Sequence, residues 1–192
     1  MIVQKSMVRN RVAWAAGLFL FASCFMVASL AQSTKEKQRL EAMQGRLSKQ
    51  VRHELVMLPY HSVFDNLTFR IEGVDSIVLM GQVVKPTLKQ DAENAVRELE
   101  AVGKVVNNIE VLPLSPSDDS IRRAVFRAVY SREGFERYAL SAVPSIHIIV
   151  KNGNITLEGV AANQMDKDIA GMAANQVSGA FSVTNNLRLE SK

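Results

Sequence analysis

Apolar residues in this chain recur at two spacings, and the spacings alternate in a fixed order. Leu47, Val51, Leu55 and Leu58 stand three or four positions apart, the interval that lines one face of a helix, and Pro59 closes the run. The same helix is expected to start earlier, because Ser33-Thr34-Lys35-Glu36 has capping-box form and Leu40 and Met43 extend the stripe. Gly45 weakens that join. Leu67, Phe69 and Ile71 then alternate as in a strand, Gly73 to Ser76 reads as a turn, and Ile77, Leu79, Gly81 and Val83 resume the alternation. Pro86 suits the first position of a second helix, whose stripe is Leu88, Ala92, Ala95, Leu99 and Val102. A last strand is predicted through Val105, Asn107, Ile109 and Val111.

The order then repeats. Ser117 is the predicted N-cap of a helix carrying Ile121, Val125 and Val129. Ile146, Ile148 and Val150 mark a strand, and Ile155 and Leu157 its return. Between them Asn152-Gly153 predicts a type I′ hairpin turn, since both residues tolerate positive φ. Met165, Ile169, Met172, Ala173 and Val177 mark the second helix, and Phe181, Val183, Leu187 and Leu189 the last strand.

Residue identities follow the same repeat. Leu79-Met80-Gly81-Gln82-Val83 aligns with Leu157-Glu158-Gly159-Val160-Ala161, and Val105 to Ile109 with Val183 to Leu187, at one offset of 78. The alignment is expected to run without a gap from about residue 69 to 111. The first helices align at an offset of 74, which puts four extra residues before the first strand of the second copy. The reading is an α+β protein of two tandem α-β-β-α-β domains, each a small sheet covered by two helices. The expected boundaries are 46–112 and 118–190, joined by a stiff proline-bearing linker at 113–117 and preceded by a helical extension at 32–45.

Two residue types recur inside the repeat. Gly81 and Gly159 fall within strands, where glycine marks a bulge or close approach, and tight packing of the second helix is expected there. Asn107 and Asn185 are expected to satisfy neighbouring backbone groups.

Charge draws attention to the N-terminus. The chain of 192 residues carries a formal net charge of +4, with 47% hydrophobic and 22% charged residues, an ordinary globular balance. Residues 1–31 hold Lys5, Arg9 and Arg11 and no acid, so the remainder has 20 basic and 19 acidic side chains and no reason to bind nucleic acid. The uncharged run at 12–31 behind those cations has signal-peptide order, and Ser29-Leu30-Ala31 predicts cleavage before Gln32. The rivals are a retained inner-membrane anchor through 12–31 and a lipoprotein at Cys24, for which Phe21 fits poorly. Cleavage would remove Trp14 and Cys24, leaving a mature chain without cysteine.

Enzyme chemistry finds little support. His53, His61 and His147 are scattered, with no metal-ligand spacing, nucleophile elbow or phosphate-binding glycine loop. No catalytic residue, metal or cofactor is therefore assigned. His147 is expected to face solvent between Ile146 and Ile148, and Asp166 and Asp168 to favour a helix dipole. The most informative cluster is Arg122, Arg123 and Arg127, with Phe126 and Tyr130 off the buried stripe. Cations beside exposed aromatics suit an anionic membrane surface. Equally, arginines toward one end and Asp118 and Asp119 at the other complement the helix dipole.

The motifs Leu79-x-Gly81-x-Val83, Ala92/Ala95/Leu99 and Val105-x-Asn107-x-Ile109 resemble those of the BON domain, a bacterial module of osmotically induced periplasmic and outer-membrane-associated proteins. The second copy carries Leu157-x-Gly159, Ala170/Ala173, Gly179-Ala180 and Val183-x-Asn185-x-Leu187. It departs from the usual pattern at Ala161, and the first copy departs at Ala101-Val102. The resemblance covers about residues 46–190 and implies a non-catalytic dual-BON envelope protein, periplasmic and peripheral to the membrane. Some members of that family associate with anionic phospholipid and support the envelope barrier. On that basis Arg122, Arg123, Phe126, Arg127 and Tyr130 are the candidate lipid-binding residues. The rival role is docking on an envelope protein complex through sheet edges or the 34–58 helix.

Overall fold

The structure, a computed structural model, describes residues 35–140 and 143–190. The leader, its cleavage site, Cys24 and the Ser33-Thr34 cap lie outside the described residues. Among those described, no helix is long and apolar enough to cross a membrane.

Helix α1 occupies residues 35–57 and stops two residues before Pro59. It is followed by β1 (Asn66–Glu72), β2 (Ser76–Val83), α2 (Pro86–Arg97), β3 (Lys104–Asn107) and β4 (Glu110–Val111). The second copy comprises α3 (Pro116–Tyr130), α4 (Glu136–Ala139), β5 (Ile146–Lys151), β6 (Asn154–Ala161), α5 (Gln164–Asn175), β7 (Ser182–Asn185) and β8 (Arg188–Leu189). Each copy builds one mixed sheet. β2 pairs antiparallel with β1 and parallel with β3 and β4, and β6 does the same with β5, β7 and β8. The α+β reading with two copies of one topology therefore holds.

The repeat is tighter in some places than in others. Leu79 pairs with Asn107 and Leu157 with Asn185, so the offset of 78 is kept across the parallel pairs. It fails across the hairpins. Glu72 pairs with Ser76 around a three-residue loop, whereas Lys151 pairs with Asn154 around Asn152 and Gly153. Leu67, paired with Gly81, thus corresponds to Ile146, paired with Gly159, and the expected gapless alignment is corrected by one residue. Asn152 and Gly153 have φ of 51° and 77°, as a type I′ turn requires.

The predicted final strand is broken in both copies. Asn107 Oδ1 accepts from Ile109 N at 3.1 Å, and Asn185 Oδ1 from Leu187 N at 3.2 Å. These local bonds turn the backbone out of the ladder between the two short strands. The amide nitrogens reach the second helix, Asn107 Nδ2 to Lys89 O at 2.9 Å and Asn185 Nδ2 to Lys167 O at 2.7 Å. Both asparagines therefore satisfy backbone groups, as expected.

The glycines act differently from the expectation. Gly81 and Gly159 have φ of 111° and 109°, a region that side chains rarely adopt. A Cβ on either would collide with a backbone carbonyl entering the neighbouring strand, Asn66 O or Ser145 O. The close approach is strand to strand, not helix to strand.

Helix α3 starts earlier than predicted. Its N-cap is Ser115, whose Oγ accepts from Asp118 N at 3.1 Å, and Pro116 fills the first turn. Asp118 is buried, and its carboxylate accepts from Asn152 N and Gly153 N, both at 2.8 Å. This acid ties the helix start to the hairpin turn.

The first core gathers Leu47, Val51 and Leu55 of α1 against Ile77, Leu79, Val83, Leu88, Ala92, Val96 and Ile109. The second gathers Ile121, Val125 and Val129 against both strands of the β5–β6 hairpin and against Ala170, Ala173 and Ala174. Met165 and Met172, two of the residues whose spacing marks α5, are exposed, and small alanines face the sheet.

The copies meet along a seam. Val63, in the segment before β1, is buried in the core of the second copy, and its carbonyl accepts from Ile148 N at 2.8 Å. Phe64 meets Phe126 edge to face with centroids 6.2 Å apart. Lys151 pairs with Glu110 across the same seam.

Candidate anion-binding surface of helix α3

The buried stripe Ile121/Val125/Val129 fixes which way α3 faces, and so sorts its cations. Arg123 and Arg127, four residues apart, are exposed on one face. Among the described residues no carboxylate forms an ion pair with either.

Arg122 is a different kind of residue. It is 2% exposed, which corrects the expectation that it joins the exposed cluster. Its guanidinium pairs with Asp119 and donates from Nη2 to Val150 O at 2.7 Å, locking α3 to β5. Helical spacing puts Arg122 next to the Ile121 stripe, and the long side chain follows the core outward to a strand carbonyl.

The aromatic residues also divide. Phe126 is 37% exposed and lies 4.9 Å from Tyr130, centroid to centroid. Tyr130 is half-buried, and its hydroxyl donates inward to Ile146 O at 2.6 Å. Burial pushes the phenol well above its ordinary pKa. Tyr130 therefore presents a ring edge to the surface rather than a hydroxyl. Arg137 pairs with Asp166, and Arg132 donates to Gln176 Oε1 at 2.8 Å, so neither joins the α3 cations.

Sequence reasoning missed a cleft of about 180 Å³ at the seam beside Arg123. Tyr60, Phe64, Asp65, Lys85, Asp119 and Arg123 line it. Lys85 Nζ sits 4.2 Å above the Tyr60 ring, a cation–π contact. The two acids are occupied. Asp65 accepts from Ser62 N, Ser62 Oγ and Val84 N at 3.0, 2.7 and 2.8 Å, and Asp119 pairs with Arg122. Nothing in the order of residues brings Tyr60 and Lys85 to Arg123; docking of Val63 into the second core does.

The histidines form a second cluster. His61 and His147 stack with centroids 6.2 Å apart and planes 8° from parallel. His147 is half-buried rather than solvent-facing, because the seam covers that face of β5. Burial lowers both pKa values, that of His147 to about 4 with help from the nearby His61 charge, while Asp65 opposes the shift in each. A wider groove of about 650 Å³ runs from this pair along β1. Among the described residues no group of three or more His, Cys, Asp or Glu is placed to hold a metal ion.

The tandem sheets, the paired asparagines and the strand glycines place this chain in a defined class, and comparison of its sequence with known families names it. The chain belongs to the BON domain family, whose sequence model matches residues 45–113 and again 117–191. Among solved structures, it is similar to the C-terminal domain of CdsD, a structural protein of the type III secretion system of Chlamydia trachomatis. That match has 14% identity and a TM-score of 0.30, covering 74% of this chain and 96% of the other. A second structure of CdsD matches at 14% identity and a TM-score of 0.30, covering 76% and 92%. Among curated proteins, none matches.

Proposed function

We propose that this protein is a non-catalytic, exported dual-BON module that works at the cell envelope by binding anionic phospholipid. The observation that carries the reading is the exposed pair Arg123 and Arg127, which form no ion pair among the described residues and flank Phe126 on one face of α3. Two cations around a part-exposed ring match a surface that is anionic outside and apolar just beneath. Envelope location rests on the cationic, apolar leader at 1–31. Such binding supports envelope integrity by holding the module peripheral to the membrane.

The test is co-sedimentation of the chain with phosphatidylglycerol or cardiolipin vesicles against phosphatidylcholine vesicles, over a salt series. Preference for the anionic vesicles that fades with salt supports the reading, since the Debye length shrinks to ~3 Å at 1 M. Absence of binding to the anionic vesicles at low salt favours docking on an envelope protein instead.

A further inference from the structure

We infer that the seam cleft between the two copies is a phosphate-binding site, with Lys85 of the first copy and Arg123 of the second as its clamp. The inference rests on the anionic-surface reading, because Arg123 serves both, and it adds a cavity of defined lining to an otherwise open helix face.

Lys85 and Arg123 lie on opposite copies yet line one cleft of about 180 Å³. Neither forms an ion pair among the described residues, while the lining acids Asp65 and Asp119 are committed to their own partners. Lys85 and Arg123 are thus the lining cations left without an ion pair, beside two carboxylates that already accept hydrogen bonds. The start of α2 borders the same cleft. Lys85 is its N-cap with no side-chain cap, Pro86 follows and no acid stands in the first turn, so the carboxylate nearest the positive helix end is Asp65, bonded to Val84 N. Arg122 lines the cleft as well; it is buried, and its Nε has no hydrogen-bond partner among the described residues. An orphaned donor in a buried guanidinium is costly unless an acceptor comes near.

The Tyr60 wall is held in place deliberately. Its backbone has φ of 67°, a strained value for a bulky residue, and the ring is 73% exposed beneath Lys85. Strain of this kind persists where surrounding structure enforces it, and it collects at binding sites. Here it keeps an aromatic face where it restrains the Lys85 side chain. The ligand chemistry is one phosphate, carried by a lipid headgroup or free in solution.

The experiment is ³¹P NMR titration of the full chain with inorganic phosphate, repeated with water-soluble dihexanoyl phosphatidylglycerol. Lys85→Gln, Arg123→Gln and Arg127→Gln are compared with the wild type. Saturable phosphate binding, weakened at least ~5-fold by Lys85→Gln and by Arg123→Gln but not by Arg127→Gln, is expected, since each lost cation is worth ~1 kcal/mol. Competition by the short-chain lipid assigns the site to headgroups; its absence assigns the site to free phosphate. Unsaturable phosphate binding, or binding indifferent to Lys85→Gln, overturns the inference even if anionic vesicles still bind. Clamped phosphate without any preference for anionic vesicles leaves the cleft standing and removes the membrane reading.

Discussion

Leu88 and Asp166 occupy the same place in the two copies, the third residue of the second helix, and both are buried. In the first copy the position is plain core. In the second, the Asp166 carboxylate accepts from Tyr138 Oη, Arg137 and its own cap residue Asn163. Tyr138 and Arg137 belong to α4, which lies in the segment that lengthens the second copy. The longer segment and the buried acid of the second copy thus form one network.

Replacing Asp166 by Leu should destabilise the protein by ~1–3 kcal/mol, because the buried Tyr138 hydroxyl loses its acceptor. Removing that hydroxyl as well, in Asp166→Leu/Tyr138→Phe, should recover part of the loss, since the two groups share one network. Urea unfolding of Asp166→Leu, Tyr138→Phe and the double variant checks this; strictly additive losses would show that the residues act independently.

The strand glycines should be intolerant. Gly81→Ala and Gly159→Ala combine a clash with backbone and a disfavoured φ, so each should cost at least ~2–3 kcal/mol. Gly73→Ala, with open space around it, should cost only ~1 kcal/mol. Thermal melts distinguish them, and comparable losses at all three sites would refute the close-approach explanation.

The histidine pair makes stability depend on pH in a defined window. Burial favours the neutral form of both histidines, with folded pKa values below the ordinary 6.5 and that of His147 at about 4. The folded state therefore binds fewer protons than the unfolded one, and stability is fully present above the unfolded pKa. It is lost as pH falls from 6.5 toward 4. Between pH 6.5 and 5 the loss from His147 should be about 1–2 kcal/mol after solvent screening. His147→Gln should flatten that slope in urea unfolding; an unchanged slope would remove the pair from the account.

Much of this architecture was legible in the chain because periodicity and repetition report on backbone and core. Leu79 and Leu157, or Ala92 and Ala170, are buried in both copies for the same reason that they align. The asparagines were legible too, since a side chain that bonds two residues ahead needs no distant partner. What escaped depends on contacts between residues distant in sequence. Arg122 looked like a surface cation until β5 supplied its carbonyl, and His147 looked exposed until the seam brought His61 against it. The spacing of the glycines shows that something approaches, not that the backbone is Asn66 or Ser145. Ser117 has the residue type of a cap, but Pro116 sits well inside a first turn and moves the cap upstream to Ser115.

The anionic-surface reading rests on two side chains, and charge reversal of those two tests it most directly. Arg123→Glu/Arg127→Glu leaves Arg122 and the Ile121/Val125/Val129 stripe untouched, so circular dichroism should match the wild type. Binding to phosphatidylglycerol vesicles, measured by co-sedimentation of the two full chains side by side, isolates α3 from the cationic leader that both retain. Each basic side chain near such a surface is worth ~1 kcal/mol, so the double variant should lose at least ~2 kcal/mol, or ~30-fold in affinity. A folded double variant that binds these vesicles as tightly as the wild type would contradict the assignment and leave α3 a solvated face.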